Sequence, residues 1–242
     1  MNLTILILAA GQSSKKSADE IYPLCLTEVE GLSLLERIIN TTKEIKNAIY
    51  TFAFLRKEVE QFHLDKVANL LAPGAEIYKI SEKTQGSACT SLLATSQLNQ
   101  ENELLIISAN ELVEINLNEI VENFRKRKLD CGILTFHSIH PRYSYVKVNE
   151  EKHVTEAAQQ DPISNNATTG IFWFSKTKIF VEAVKETIRK NANINNNFYI
   201  APSLNELILK HYKVGVVTLD VTKYIPLKNE RQIQKFEDGS NL

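Results

Sequence analysis

The opening of the chain limits most what it can fold into. Residues 3–8 form an apolar, strand-like run that ends in Ala9, Ala10 and Gly11, gives way to a polar loop, and resumes after Pro23 as an apolar helical stretch from Ser33. A buried strand that runs out into small residues brings backbone amides to its carboxyl end, the edge at which open α/β sheets receive ligands. Ser33 and Glu36, just ahead of Ile38 and Ile39, form a capping-box pattern and predict a helix start.

The alternation continues downstream. Residues 48–55, 76–80 and 104–108 are further strand candidates separated by stretches of helical length, the pattern of βαβ units around a parallel sheet. Leu117, Ile120, Val121 and Phe124 repeat at helical spacing with charges between them and predict a surface helix. Segments 132–136, 145–148, 153–156 and 170–174 are short and rich in β-branched and aromatic residues, so a more antiparallel region is expected there, with Trp173 in its core. Helices over 178–190 and 203–212 and a strand over 214–219 complete the pattern, and the asparagine-rich 191–197 reads as a mobile polar loop. Residues 1–242 are read as a single domain.

Charge and cysteine usage exclude several classes of function. With 28 basic and 29 acidic residues the net charge is −1, so no footprint for nucleic acid or an acidic membrane exists. The basic cluster Arg125, Lys126, Arg127, Lys128 follows a helical run and is read as solvating its end. Cys25, Cys89 and Cys131 are widely spaced among apolar neighbours, as reduced packing residues are. His137 and His140 have no further Cys or His beside them and are read as structural or surface residues. The first apolar stretch is too short for a signal peptide or for the roughly 20 residues that span a bilayer. A soluble, cytoplasmic protein without membrane insertion is expected.

Leu8, Ala9, Ala10 and Gly11, then Pro23, Leu26, Val29, Gly31, Leu34, Leu35 and Glu36, resemble the signature of the nucleotidyltransferase family of the glycosyltransferase-A fold, L-A-A-G-x-G-S/T-R followed by P-K-x-L-x-x-V-x-G-x-P-L-L-E. Thr84-Gln85-Gly86-Ser87-Ala88 resembles the family's base-holding segment, the strand ending at Asn110 its metal-binding strand, and Thr169-Gly170 its sugar-side strand. Residues 198–202 with Asn205 and Glu206, and His140-Pro141, are similar to a subgroup associated with capsule and surface polysaccharide. The resemblance implies an α/β, three-layer αβα, Rossmann-like fold with a mixed, mainly parallel sheet. It implies Leu8, Ala9, Ala10, Gly11, Gln85 and Gly86 as nucleotide-binding residues, with Lys15 and Lys16 as catalytic cations. It further implies Asn110 and Glu111 at an Mg²⁺ site and Gln159, Thr169 and Gly170 at the sugar phosphate. The implied partners are a nucleoside triphosphate and a sugar phosphate, together with a homodimer mate or another biosynthetic protein.

The departures from the signature fall on charge. Lys15 stands for the loop arginine, Leu24 for the lysine after Pro23, and Asn110 for the aspartate; Gln159-Gln160-Asp161 replaces a Glu-Lys pair, and residues 223–229 lack the C-terminal acid. Ser13 also stands for the second glycine. Nucleotidyl transfer is an in-line displacement at phosphorus, driven by positioning and by neutralisation of charge. An amide anchors Mg²⁺ poorly, an apolar Leu24 cannot neutralise phosphate, and on a continuing strand Glu111 would face away from Asn110. Losing one preorganised donor costs about a hundred- to a thousandfold in rate. Two readings stay open: an enzyme with impaired transfer, which is favoured, and an inactive member that binds nucleotide or sugar phosphate or serves as a scaffold. A glycosyltransferase would need an Asp-x-Asp motif, and the sequence has none.

Overall fold

A computed structural model describes residues 2–11, 13–17, 20–81, 84–227 and 230–238. From the N-terminus, β1 (Leu3–Leu8) leads into a hairpin of β2 (Ser13–Ser17) and β3 (Glu20–Pro23), a 3-10 turn over Leu24–Leu26, and the short pair β4 (Glu28–Val29) and β5 (Leu32–Ser33). Then α1 (Leu34–Asn40), β6 (Ala48–Leu55), α2 (Arg56–Phe62), α3 (Leu64–Leu71), β7 (Glu76–Ile80), α4 (Ser87–Thr95) and β8 (Glu103–Ser108) alternate. The second half holds β9 (Glu111–Val113), α5 (Leu117–Lys126), β10 (Cys131–His137), β11 (Ser144–Val148), β12 (Val154–Gln159) and β13 (Asn166–Phe174). It closes with α6 (Thr177–Arg189), α7 (Ile200–Leu209), β14 (Val214–Leu219), β15 (Tyr224–Pro226) and α8 (Glu230–Glu237).

Among the described residues nine strands form one mixed sheet, in the order β12-β11-β13-β8-β1-β6-β7, with β10 pairing both β13 and β14. The pairs joining β8, β1, β6 and β7 are parallel, as is β10 with β14, whereas β13 runs antiparallel to β8 and β10. Alternation along β1 explains the layers. Leu3, Ile5 and Ile7 face one core, built with α1, α3 and α5, while Leu6 faces a second core built with α4, α6 and α7. Both sheet faces are covered, so the strands read as continuous apolar runs. Trp173 is 2% exposed on β13, as its sequence context predicts.

Local chemistry sets the element ends. The Ser33 hydroxyl accepts from the Glu36 backbone N–H at 3.2 Å, which is the predicted helix cap. Ser33→Ala is expected to cost about 1 kcal/mol in urea unfolding, and a loss within error of zero would show the cap to be idle. Helix α7 starts at Ile200, three residues ahead of the position expected from sequence. Pro202 falls in its first turn, where no N–H has an intrahelical partner, so the proline breaks nothing. His211, at φ 61°, ends the turn that follows the helix. In the asparagine-rich segment Asn191, Asn195 and Asn196 take left-handed backbone angles that asparagine tolerates. The Asn205 side chain clamps β12: its Oδ1 accepts from Ala157 N at 2.9 Å and its Nδ2 donates to Ala157 O at 2.8 Å.

Candidate functional site

The carboxyl ends of β1 and β8 lie side by side, tied by the Ala109 N–H donating to Leu8 O at 2.9 Å, and Ala9 N donates across to Ala53 O at 3.0 Å on β6. A cleft of about 250 Å³ opens there. Leu8, Ala9, Ala10 and Gly11 from the end of β1 and Ser108, Ala109 and Asn110 from the end of β8 line it. Leu24 and Cys25, Thr84, Gly86, Ser87 and Thr90 around the start of α4, and Asn197 complete the lining. Among the described residues that line it none is Asp, Glu, Lys, Arg or His.

The helix-side wall is held by backbone crossing. Gly86 has φ 99° and ψ 173°, and a Cβ built there would sit 2.3 Å from the Phe198 carbonyl oxygen. Phe198 N donates to Gln85 O at 2.8 Å and Ala88 N donates to Phe198 O at 3.1 Å, so the segment before α7 is stitched onto the segment before α4. Thr84 adds a bond from its hydroxyl to Gly86 O at 3.0 Å. Gly11 differs: a Cβ there would meet nothing within 4 Å and its φ is not left-handed, so neither conformation nor space demands glycine at that position.

Beyond β8 the chain turns at Ala109 and Asn110 and starts again as β9, which pairs with β15. Leu227 N donates to Asn110 O at 2.9 Å. The Asn110 side-chain Oδ1 is buried without a hydrogen-bond partner. Glu111 is 3% exposed, accepts from the Tyr224 hydroxyl at 2.5 Å, and lies over Gly170, whose Cβ, if present, would be 1.7 Å from Glu111 Oε1. Burial first, and then the Glu111 charge, push the Tyr224 hydroxyl pKa well above the usual tyrosine range. The Phe136 ring stacks on Tyr224 at 4.0 Å between centroids and fixes it in place.

Of the residues expected at the nucleotide, Leu8, Ala9, Ala10, Gly11 and Gly86 line the cleft, while Gln85 is exposed beside it and contributes its carbonyl to Phe198. Asn110 lines it and Glu111 does not, because the turn after β8 carries the carboxylate onto Gly170 and Tyr224. The residues expected on the sugar side lie outside the residues that line this cleft. Thr169 is 0% exposed and donates its hydroxyl to Leu134 O at 3.1 Å, so it is a core residue, and Gly170 makes room for Glu111. Gln159 lies outside the cleft, half-buried, and accepts from the Ser144 hydroxyl. Lys15 and Lys16 fall on β2, and their side chains lie outside the described residues.

Sequence reasoning passed over Cys25, Ser108 and Asn197 as lining residues; the position of Ser108 at a strand's carboxyl end was the available signal. Burial, with a smaller contribution from Glu58, pushes the Cys25 thiol up to about 12, well above the ordinary cysteine range. A raised value means stability that is complete below pH ~9 and lost as pH rises toward 12. Native protein should therefore show slow reaction of Cys25 and buried Cys131 with dithiobis(nitrobenzoate), and faster reaction of half-exposed Cys89. Three equally fast thiols before denaturation would contradict this packing.

Mg²⁺ is normally held by one or two carboxylates together with phosphates. The donors here do not fit it: Asn110 offers an amide, Glu111 is committed to Tyr224, and the Asp220 carboxylate accepts from the Thr222 N–H at 2.9 Å and hydroxyl at 2.8 Å. Among the described residues no group of three or more His, Cys, Asp or Glu is placed to hold a metal ion.

The family model for nucleotidyl transferases matches residues 34–218, well over half of the chain. The chain belongs to the nucleotidyl transferase family. The match begins directly after Ser33, so β1 and the loop beyond it lie outside the region that fixes membership of the nucleotidyl transferases. No curated protein sequence matches the chain. Among solved structures, a nucleoside-diphosphate-sugar pyrophosphorylase from Vibrio cholerae RC9 superposes with a TM-score of 0.83 at 20% identity, over 96% of this chain and 99% of that one. A Bacillus anthracis protein described as a glucose-1-phosphate thymidylyltransferase, solved with sucrose, gives 0.76 at 16% identity over 99% and 95% of the two chains. A UDP-glucose pyrophosphorylase complexed with UDP-glucose gives 0.76 at 13% identity over 99% and 98%. At such identities the likeness concerns the fold, and this nucleotidyl transferase has the three-layer α/β architecture expected from its sequence. None of its helices, among the described residues, is long and apolar enough to cross a membrane.

Proposed function

We propose that this chain is a nucleotide-binding member of the nucleotidyl transferase family in which transfer to a sugar phosphate is impaired. One observation carries the reading. At the end of β8, inside the cleft, the chain presents the Asn110 amide where charge-neutralising chemistry needs a carboxylate. Apolar Leu24 on the neighbouring wall points the same way. The names of the pyrophosphorylases and the thymidylyltransferase above support sugar phosphates as the second substrate class. Lys15 and Lys16 are the candidate cations for phosphate, and Gln159 the candidate contact for the sugar phosphate. The setting is cytoplasmic supply of activated sugars for surface polysaccharide by a single domain, as a homodimer or with another biosynthetic protein.

The second reading, a catalytically inactive binder or scaffold, is favoured by Glu111 filling the space over Gly170. Pyrophosphate release from the four nucleoside triphosphates with a sugar-phosphate panel, beside thermal shifts with the same ligands, tests both. The expected result is nucleotide-dependent stabilisation with turnover at least about a hundredfold below the ~10 s⁻¹ typical of enzymes. Ordinary turnover would overturn the impairment, and turnover below detection with retained binding would favour the inactive reading.

A further inference from the structure

The segment expected at the sugar phosphate, residues 159–161, brings no cation of its own, yet the fold sets one beside it. β10 occupies one edge of β13. Along the other edge β8 pairs residues 171–174 and β11 pairs Ala167, so the beginning of β11 faces the carboxyl end of β8 across residues 168–170. Ser144, which opens β11, is in register with Gln159 at the end of β12 and donates its hydroxyl to Gln159 Oε1. Gln160 N donates to Tyr143 O at 2.9 Å. Arg142 immediately precedes this junction.

The Arg142 guanidinium is held in place without being neutralised. Its Cζ lies 5.7 Å from the centre of the Tyr143 ring, and Tyr143 is itself wedged edge-on against Phe136 at 5.0 Å and Tyr224 at 6.0 Å. Nε donates to His140 Nδ1 at 3.3 Å and Nη2 lies 3.1 Å from His140 Nε2, while among the described residues Arg142 forms no ion pair. The charge is felt inward: burial raises the Tyr143 hydroxyl pKa above the usual tyrosine range, and Arg142 pulls against that rise. A half-buried guanidinium on an aromatic floor is partly shielded from water, and its fork of donors matches the oxygens of a phosphate monoester.

We propose that Arg142 binds the phosphate of the sugar-phosphate substrate, with Gln159 beside it on a sugar hydroxyl, and so replaces the cation missing from residues 159–161. This rests on the reading of sugar phosphates as the second substrate class.

The test is calorimetric titration of the intact protein with glucose, galactose, mannose and N-acetylglucosamine 1-phosphates and with the same sugars unphosphorylated. Each is run alone and with each common nucleoside triphosphate under chelation. The parent protein is expected to bind at least one sugar phosphate about tenfold or more tighter than its free sugar. Arg142→Gln should weaken that sugar phosphate at least about tenfold and leave triphosphate affinity within about threefold, and Arg142→Lys should restore part of the loss. Unchanged sugar-phosphate affinity in Arg142→Gln overturns the inference. So does failure of every sugar phosphate to bind where a triphosphate binds, which leaves the nucleotide site standing. Equal losses for sugar phosphate and triphosphate, with a lowered thermal midpoint, assign Arg142 to packing and overturn its role at the ligand. Sugar-phosphate binding that depends on Arg142, without binding of any triphosphate, upholds the inference and overturns the nucleotide site. No binding of any of these ligands overturns both.

Discussion

Gly170→Ala should lower the thermal midpoint by about 10 °C. Gly170 has φ +73°, where an alanine costs about 1–2 kcal/mol, and its Cβ would lie 1.7 Å from Glu111 Oε1 and 2.8 Å from Glu111 Cδ. The carboxylate must move, which breaks its bond from Tyr224 in a buried setting, a further ~1.5–3 kcal/mol. The sum of about 3–5 kcal/mol corresponds to the stated shift at ~2–4 °C per kcal/mol for a chain of this size. A double-mutant cycle with Glu111→Ala separates the two contributions. Once the carboxylate is gone, alanine at 170 should cost only its backbone strain, leaving a coupling above about 1 kcal/mol. Additive losses, or a midpoint within 2 °C or so of the parent, would remove Glu111 from the space over Gly170. Since neither residue lines the cleft, nucleotide binding should survive at temperatures where the variant is folded.

Gly86→Ala should damage both stability and binding. Its φ of 99° and ψ of 173° lie in a region open essentially to glycine alone, at about 1–3 kcal/mol for any other residue. The new Cβ would meet backbone, with Phe198 O at 2.3 Å and Phe198 N at 2.9 Å, and backbone in two hydrogen bonds cannot yield cheaply. A loss of about 4 kcal/mol is expected, and the wall formed by Gly86, Ser87 and Asn197 must shift with it. Calorimetry on the folded variant should find ligand affinity reduced at least about tenfold. Native affinity with a native midpoint would mean that the two segments do not cross as described.

These two glycines show where sequence reading reached and where it stopped. The apolar runs at β1, β6 and β8 were legible because strands covered on both faces need no polar alternation, and α1 was legible from Ser33 and Glu36. Gly11 carries weight in the sequence through the register of the signature up to Glu36, whereas Gly86 and Gly170 demand glycine through contacts with Phe198 and Glu111 far away in sequence. The resemblance places Thr169 and Gly170 on the sugar side, and a local pattern does not reveal that the Thr169 hydroxyl is bonded to Leu134 O. The β2–β3 hairpin went unseen because serines and lysines carry no strand periodicity. Asn110 was legible as a departure in charge, but its unpartnered oxygen emerges only once Leu227 and β15 are folded against it.

The clamp on β12 bears on how copies of this molecule meet. β12 is the outermost strand at one end of the sheet, and an outermost strand offers its amides and carbonyls as a template for edge-to-edge aggregation. A carboxamide carries the same donor and acceptor as a peptide unit, so Asn205 stands in at Ala157 for the strand that would otherwise come from another molecule. At that point the sheet is closed to growth by a side chain of its own, so edge-to-edge pairing through Ala157 is blocked within the chain itself.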